Sequence, residues 1–168
     1  ENGRGAGEEQ GIQDDIDIYF ATLSKSMASV GAFVAGDKFM VDYLKYNMRS
    51  QMFAKSLAMP VVEGAIKRLE MLKTMPELRE KLWENVKALQ SGLKENGFDI
   101  GETNSCVTPV YLESGSTEEA MALVHDLRES HGIFCSMVVY PVIPKGMLLL
   151  RLIPTAAHTM QDIEETIV

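Results

Sequence analysis

The chain of 168 residues is 46% hydrophobic and 24% charged, which is typical of a globular protein and argues against an intrinsically disordered one. Its net charge of −8 argues against a nucleic-acid-binding protein, because no basic stripe offsets the acidic surface. No apolar run approaches the roughly 18 residues of a membrane-spanning helix, so we expect no transmembrane segment.

Two short strands are predicted near the N-terminus, on either side of a segment with a single lysine. Residues 1–16 are rich in glycine and acidic residues and are expected to form a loop, with room for a short helix. The alternating pattern of residues 15–23 predicts a strand. The short apolar run of residues 29–36 contains glycines and predicts a second, buried strand. Lys25 lies between the two strands.

Three helices are predicted next. One begins at Asp37, which is a suitable capping residue, and a second spans residues 59–72. The third begins at the sequence TMPE, where Thr74 and Glu77 match a capping box and Pro76 suits the first turn. Five apolar residues at helical spacing give this third helix one apolar face: Leu78, Leu82, Val86, Leu89 and Leu93.

The rest of the chain combines strands with helices. A helix is predicted over residues 116–132, with Ser116 and Glu119 as a capping box and Gly132 at its end. A last helix begins at Thr159. Three strands complete the pattern, at residues 106–113, 133–140 and 147–154.

The order of these elements predicts the fold class. From residue 57 the order is helix, helix, strand, helix, strand, strand, helix, which indicates an α/β or α+β layer with helices covering a sheet. We expect residues 57–168 to form a small C-terminal α+β domain. Residues 1–56 are expected to end a larger domain, since two strands and one helix cannot bury their own faces. The opening ENGRGAGEEQG resembles the middle of a protein and suggests a fragment.

Lys25 is the first candidate for chemistry, because it lies among small and apolar residues with no acidic residue between Asp17 and Asp37. An amine in apolar surroundings loses its proton more easily, and it can then attack a carbonyl group and hold it as a Schiff base. The hydroxyls of Thr22 and Ser24 can hold a phosphate on the same ligand. The alternative is a surface lysine at a strand end, and the residues alone favour that alternative.

Arg151 is the second candidate, because it interrupts a run of leucines and isoleucines. A buried guanidinium needs an anionic partner, and its planar fork suits a carboxylate that accepts two parallel hydrogen bonds. That partner is either a substrate carboxylate or an internal Asp or Glu, and the spacing alone leaves both interpretations open.

The remaining polar residues predict no further site. His158 is interpreted as a structural loop residue, and His125 and His131 as solvated residues. No spacing typical of metal ligands or of a Ser-His-Asp triad is found, so we predict no metal. Cys106 and Cys135 lie far apart, as expected of free thiols in an intracellular protein, and we predict a cytoplasmic location.

Four motifs, taken together, resemble the α-oxoamine synthases, a family that includes serine palmitoyltransferase, 8-amino-7-oxononanoate synthase, glycine C-acetyltransferase and 5-aminolevulinate synthase. The motifs occur in the order and spacing of that family and span essentially the whole chain. They are ENGRG, TLSKSMASVGAFVAG, MFAKSLAMP, and YPVIPKG followed by RLIPTAAHT.

The resemblance implies a homodimer of fold type I with pyridoxal 5′-phosphate (PLP) as cofactor. Lys25 would form the Schiff base with PLP, Thr22 would bind the cofactor phosphate, and Arg151 would hold the carboxylate of the amino acid substrate. Relatives often place a Ser or Thr where this chain has Ala54, to reach the phosphate bound by the neighbouring subunit. Ser56, two residues later, is the substitute in this chain.

The activity that the resemblance implies is a decarboxylative Claisen-type condensation of a small amino acid with an acyl-CoA thioester. Lys25 would also move the proton at the α-carbon. The sequence SKS indicates a serine palmitoyltransferase-like enzyme, whereas YPVIPKG is more similar to 8-amino-7-oxononanoate synthase or glycine C-acetyltransferase, which stay as alternatives.

Two other classes of function remain as alternatives, namely a non-catalytic packing and dimerisation module and a PLP-dependent aminotransferase. The family's Asp that pairs with the pyridine nitrogen, and its His that stacks on the cofactor ring, would both precede residue 1. We therefore expect the chain by itself to be inactive, although the parent protein is an enzyme.

Overall fold

The structure is a computed structural model, and it describes residues 2–112 and 116–167. The chain divides into two compact units, Glu1–Pro76 and Glu77–Val168. The domain boundary predicted between residues 56 and 57 lies about one helix before the division between these two units. That boundary stays a prediction. Among the helices of the described residues, none combines the length and the apolar character needed to cross a membrane.

The N-terminal unit consists of a β-hairpin and several helices. Its elements are α1 (Ala6–Glu9), a 3₁₀ turn (Gln13–Asp15), β1 (Ile18–Thr22), β2 (Ala32–Gly36), α2 (Lys38–Asn47), α3 (Arg49–Met52) and α4 (Met59–Thr74). The two strands are antiparallel, and their register pairs Ile18 with Gly36 and Thr22 with Ala32. Both predicted strands and the helices predicted from Asp37 and over 59–72 are therefore present.

The hairpin of the N-terminal unit leaves much of its apolar surface open. Phe20 of β1 is 63% exposed, and Phe33 of β2 is 43% exposed. Four of the five residues of β2 are exposed, so β2 is not the buried strand that the sequence predicts. Helix α2 packs on β2, and an apolar groove of about 410 Å³ lies along this contact, lined in part by Phe20, Val34 and Leu44. This exposure agrees with the expectation from the sequence that two strands and one helix cannot bury their own faces.

Two predicted helix caps differ in the structure. Asp37 occupies the N-cap position of α2, but its side chain makes no capping hydrogen bond. Thr74 is the last residue of α4, and its Oγ1 donates to the carbonyl oxygen of Glu70 at 2.9 Å. That hydroxyl is one residue too early to cap the next helix, so the predicted box with Glu77 is wrong. Pro76 does occupy the first position of that helix, as predicted.

The C-terminal unit is a three-stranded sheet with helices. Its elements are α5 (Pro76–Glu95), β3 (Thr108–Leu112), α6 (Thr117–His131), β4 (Ser136–Val138), β5 (Leu148–Leu152) and α7 (Met160–Ile167). The strand order is β3-β5-β4, and both pairings are antiparallel. This confirms the predicted element order. Glu113, the predicted end of the first of these strands, lies outside the described residues.

One core cluster holds the C-terminal unit together. In the central strand, Leu150 pairs with Val110 on one side and with Met137 on the other. Of the apolar face predicted for α5, Leu93 is 3% exposed, whereas Leu78 at the start of the helix is 43% exposed. The buried members of the cluster are Leu89, Leu93, Ile100, Val110, Cys135, Leu150, Leu152 and Ile163.

A fully buried asparagine ties the loop after β5 to helix α5. The Asn85 side-chain amide donates to the carbonyl oxygens of Thr155 at 3.0 Å and His158 at 2.9 Å. Within the loop, the backbone N–H of Thr155 donates to Nδ1 of His158 at 2.9 Å, which places the proton of a neutral His158 on Nε2. His158 thus has the structural role in the loop that the sequence suggests.

Both helices that follow a loop in this unit have reciprocal caps. Ser116 and Glu119 form the predicted capping box of α6. At α7, the backbone N–H of Thr159 donates to Oδ2 of Asp162 at 2.7 Å, and the backbone N–H of Asp162 donates to Oγ1 of Thr159 at 3.2 Å. The backbone and hydroxyl hydrogen bonds from Thr159 hold the pKa of Asp162 below its ordinary value.

The cap of α7 predicts a pH-dependent stability. Because the pKa of Asp162 is lowered by folding, its contribution is present above the unfolded-state pKa and is lost as the pH falls through the lowered value. Asp162→Asn should therefore reduce the free energy of unfolding at neutral pH, and the difference from the unmodified protein should shrink in acid. Urea unfolding across a pH series measures it, with Glu164→Gln in the same helix as control. A difference that stays constant with pH would contradict this prediction.

The two cysteines are free and differ in their surroundings, which predicts different reactivity. Cys135 is 6% exposed, and burial raises the pKa of its thiol, whereas Cys106 is half-buried. A thiol reagent should modify Cys106 quickly and Cys135 slowly, since the thiolate is the reactive form. Cys106→Ser should remove the fast phase and Cys135→Ser the slow one. Equal rates in the folded protein would show that Cys135 is accessible.

Candidate active site

Lys25 lies in the loop that connects β1 to β2, and backbone hydrogen bonds hold this loop closed. The N–H of Leu23 donates to the carbonyl of Gly31, and the N–H of Ser29 donates to the carbonyl of Leu23, each at 2.8 Å. The N–H of Ala28 donates to the carbonyl of Lys25 itself, also at 2.8 Å. The backbone that carries the lysine is therefore fixed at its base and at the lysine.

The side chains of this loop offer an amine and hydroxyl groups to solvent. Lys25, Thr22 and Ser24 are all exposed, and the hydroxyls of Thr22 and Ser24 are 3.1 Å apart, within hydrogen-bonding distance. The described residues do not give Lys25 the apolar surroundings that the sequence suggests. They place one amine and several hydroxyls in this loop and at the end of β1, which is a donor set for a ligand that carries both a carbonyl and a phosphate.

The end of the loop packs against a later segment of the same unit. Gly31 has φ +90°, and a Cβ atom at this position would lie 2.5 Å from Cδ2 of Leu57. Ala28 also has a positive φ of 43°, which is unusual for a residue other than glycine. Ser56, the predicted phosphate-binding residue, is exposed and directly precedes Leu57. The contact between Gly31 and Leu57 thus connects the Lys25 loop to the segment that carries Ser56.

Arg151 lies on the central strand β5, and it differs from the sequence expectation of a buried charge. Strand residues alternate between two faces, so Leu150 and Leu152 enter the core while Arg151 points away and is exposed. Its Nε donates to Oγ of Ser136 at 3.1 Å. Among the described residues, none of the ion pairs found includes Arg151, so the internal salt bridge is not formed there.

The predicted site residues fall into both units. Thr22, Lys25 and Ser56 belong to the N-terminal unit, and Arg151 belongs to the C-terminal unit. Ser136 was not predicted from the sequence, because its contact with Arg151 follows from the pairing of β4 with β5. Strand order is not visible in a single sequence, and the only available signal was a hydroxyl residue in a predicted neighbouring strand.

Comparison with known proteins gives the family and its named relatives. The sequence matches the aminotransferase class I and II family over residues 4–168. It is 67% identical over 165 residues to a cysteate-C-fatty acyltransferase of Capnocytophaga ochracea, which covers 98% of this chain and 39% of that protein. It is 37% identical over 167 residues to a serine palmitoyltransferase of Sphingobacterium spiritivorum, which covers 99% of this chain and 41% of that protein.

Solved structures of related enzymes share this fold. A variant of the serine palmitoyltransferase of S. paucimobilis with a bound PLP–myriocin aldimine matches with a TM-score of 0.89 and 34% identity, covering 99% of this chain and 42% of that one. The serine palmitoyltransferase of Sphingomonas wittichii matches with a TM-score of 0.91 and 31% identity over the same shares. These matches confirm the predicted fold class, a helix-covered sheet from fold type I.

The chain spans about two fifths of the length of the curated relatives it matches. Their names are those of acyl-transferring enzymes, in agreement with the resemblance drawn from the four motifs. With the family matched over residues 4–168, the chain belongs to the aminotransferase class I and II family, and it is related within that family to the α-oxoamine synthases.

Proposed function

We propose that the protein is a PLP-dependent C-acyltransferase that condenses a small amino acid with an acyl-CoA thioester and releases CoA and CO₂. The observation that carries the proposal is the closed loop with Lys25 and Thr22, in a chain 67% identical to a fatty acyltransferase. Because the chain spans about two fifths of those relatives, the proposal concerns the full-length protein.

The residues of the N-terminal unit fit PLP by their chemistry. An exposed amine, Lys25, can form the covalent link to an aldehyde, and the exposed hydroxyl of Thr22 can donate to a phosphate. Gly31 lacks the Cβ atom that would collide with Leu57, so the loop and the Ser56 segment can lie close together. When bound, PLP supplies an electron sink that stabilises negative charge at the α-carbon of the amino acid.

The chain's own residues then have separate tasks. The amine of Lys25 is the group that would remove the proton from the α-carbon and later return one. Arg151 binds the α-carboxylate of the substrate, since its guanidinium is exposed and is held at Nε by an uncharged group. The new bond joins the α-carbon to the acyl carbonyl, the C–S bond to CoA breaks, and the carboxylate leaves as CO₂.

The amino acid we propose as substrate is cysteate. The relative named for cysteate is 67% identical, whereas those named serine palmitoyltransferase and 8-amino-7-oxononanoate synthase are each 37% identical. Cysteate has a sulfonate where serine has a hydroxyl, so the two differ by a full negative charge on an otherwise similar frame. Serine, which the sequence favours, is the second candidate, and the matches to serine palmitoyltransferase structures support it.

Several predictions from the sequence stay proposals. We propose a homodimer, with Ser56 in reach of the cofactor phosphate of the neighbouring subunit, and a cytoplasmic location. We also keep the division into the end of a PLP-binding domain, residues 1–56, and a small domain, residues 57–168. A non-catalytic module remains the alternative of another class, and the experiment below separates it from the enzyme.

Lys25 is expected to be the residue that binds PLP covalently. After borohydride reduction of the full-length protein with PLP, the intact mass should increase by one reduced cofactor, and the label should map to Lys25. Lys25→Ala should abolish the label and lower kcat by about a hundredfold or more. Lys38→Ala, which removes an exposed lysine paired with Asp42, is the control and should keep both. An unlabelled wild-type protein would favour the non-catalytic module.

Cysteate is expected to be used in preference to serine. The full-length protein with PLP and a long-chain acyl-CoA should release CoA with a kcat/KM at least about tenfold higher for cysteate, because a cationic partner for the sulfonate would favour the charged substrate by at least about 1.4 kcal/mol. The released CoA thiol measures the rate, and mass spectrometry of the product shows which amino acid was condensed. Higher kcat/KM with serine would reassign the substrate without changing the reaction class.

A further inference from the structure

The hydrogen bond between Ser136 and Arg151 has a role that the proposed function does not include. We propose that Ser136 is a positioning residue, which turns the Arg151 guanidinium so that its two terminal nitrogens face the substrate carboxylate. This inference rests on the proposed function, in which Arg151 binds that carboxylate.

The sheet register explains why these two side chains meet. Ser136 on β4 lies directly opposite Arg151 on β5, and residues directly opposite in an antiparallel pair project from the same face. Ser136 is half-buried and short, so its hydroxyl is held close to the backbone of β4. Arg151 is long and exposed, and many orientations of its guanidinium would otherwise be accessible. The bond from Nε to Oγ at 3.1 Å selects among them.

The position of the bond on the guanidinium determines which edge is left for a ligand. Arginine carries five N–H donors, one on Nε and two on each terminal nitrogen. A carboxylate can bind side-on, through Nε and one terminal nitrogen, or end-on, through both terminal nitrogens. Because Ser136 takes the Nε–H, the side-on edge is occupied and the end-on edge remains. The third strand of the sheet does not compete, since the residue opposite Arg151 there is Pro109, which has no side-chain acceptor.

The charge balance of the contact also favours this role. Ser136 accepts a hydrogen bond without neutralising the guanidinium, whereas an Asp or Glu at the same place would satisfy its charge internally. The arginine therefore keeps its full positive charge for the ligand. A hydroxyl that only stabilised the sheet would not need to face the one charged residue of β5.

The test compares substitutions of Ser136 in the full-length protein loaded with PLP. Ser136→Ala should weaken amino acid binding about three- to tenfold, because the unsupported guanidinium samples unproductive orientations. The KM for acyl-CoA should stay unchanged. Ser136→Thr keeps the hydroxyl on a residue that suits a strand, and it should restore binding to within about twofold of the wild type. Calorimetric titration with the amino acid, without acyl-CoA, gives the dissociation constant, and steady-state kinetics give the two KM values.

Two further variants separate this role from a structural one. Ser130→Ala removes an exposed hydroxyl that donates to Asp126, and it should change neither binding constant. Arg151→Lys removes the Nε–H, so in that background Ser136→Ala should have no additional effect on amino acid affinity. Equal losses in both backgrounds, or a parallel rise in the KM for acyl-CoA, would show that Ser136 acts only through the stability of the sheet.

The same variants distinguish failure of this inference from failure of the proposed function. If Arg151→Lys leaves amino acid affinity unchanged, Arg151 does not bind the carboxylate, and the assignment under the proposed function is wrong. If Arg151→Lys weakens binding while Ser136→Ala does not, Arg151 binds the carboxylate without help, and the inference about Ser136 is overturned.

Discussion

The position of β5 between β3 and β4 is the constraint on which the C-terminal unit depends. A strand paired on both sides must place its alternate residues on opposite faces of the sheet. In β5 this puts Leu150 and Leu152 into the core and Arg151 on the outer face. The pairing of β5 with β4 also places Ser136 directly opposite Arg151. Packing and the candidate substrate contact therefore follow from one register.

In the N-terminal unit, local backbone hydrogen bonds fix the position of the loop that carries Lys25. Its hairpin has little core of its own, yet the loop between the strands is closed by bonds that join Leu23 with Gly31 and with Ser29. Leu23 is 3% exposed, so the base of the loop is anchored while Lys25 remains open. The loop thus combines a fixed base with an exposed amine, as the role proposed for Lys25 requires.

Features set by residues close together in the sequence could be predicted, whereas features set by contacts between distant segments could not. Element order came from periodicity, which is local, and it was correct. The cap expected from Thr74 failed because its hydroxyl bonds to Glu70 within the preceding helix, and a motif cannot show which of two nearby partners is taken. Arg151 was expected to be buried because its neighbours are apolar, although alternation along the strand turns it outward. The hydroxyl of Thr22 was a candidate from the residues themselves, whereas the role of Ser56 came from resemblance alone.

The strand β4 has three residues and lies at the edge of its sheet. An edge strand contributes fewer core contacts than the central strand it pairs with, so replacements there disturb folding less. In this protein the same strand supplies the neighbour of Arg151. Under the proposed function, replacements in β4 can therefore change how Arg151 is held while the core strand β5 is preserved. Replacements in this edge strand thus offer a route to adjust carboxylate binding at little cost to the core.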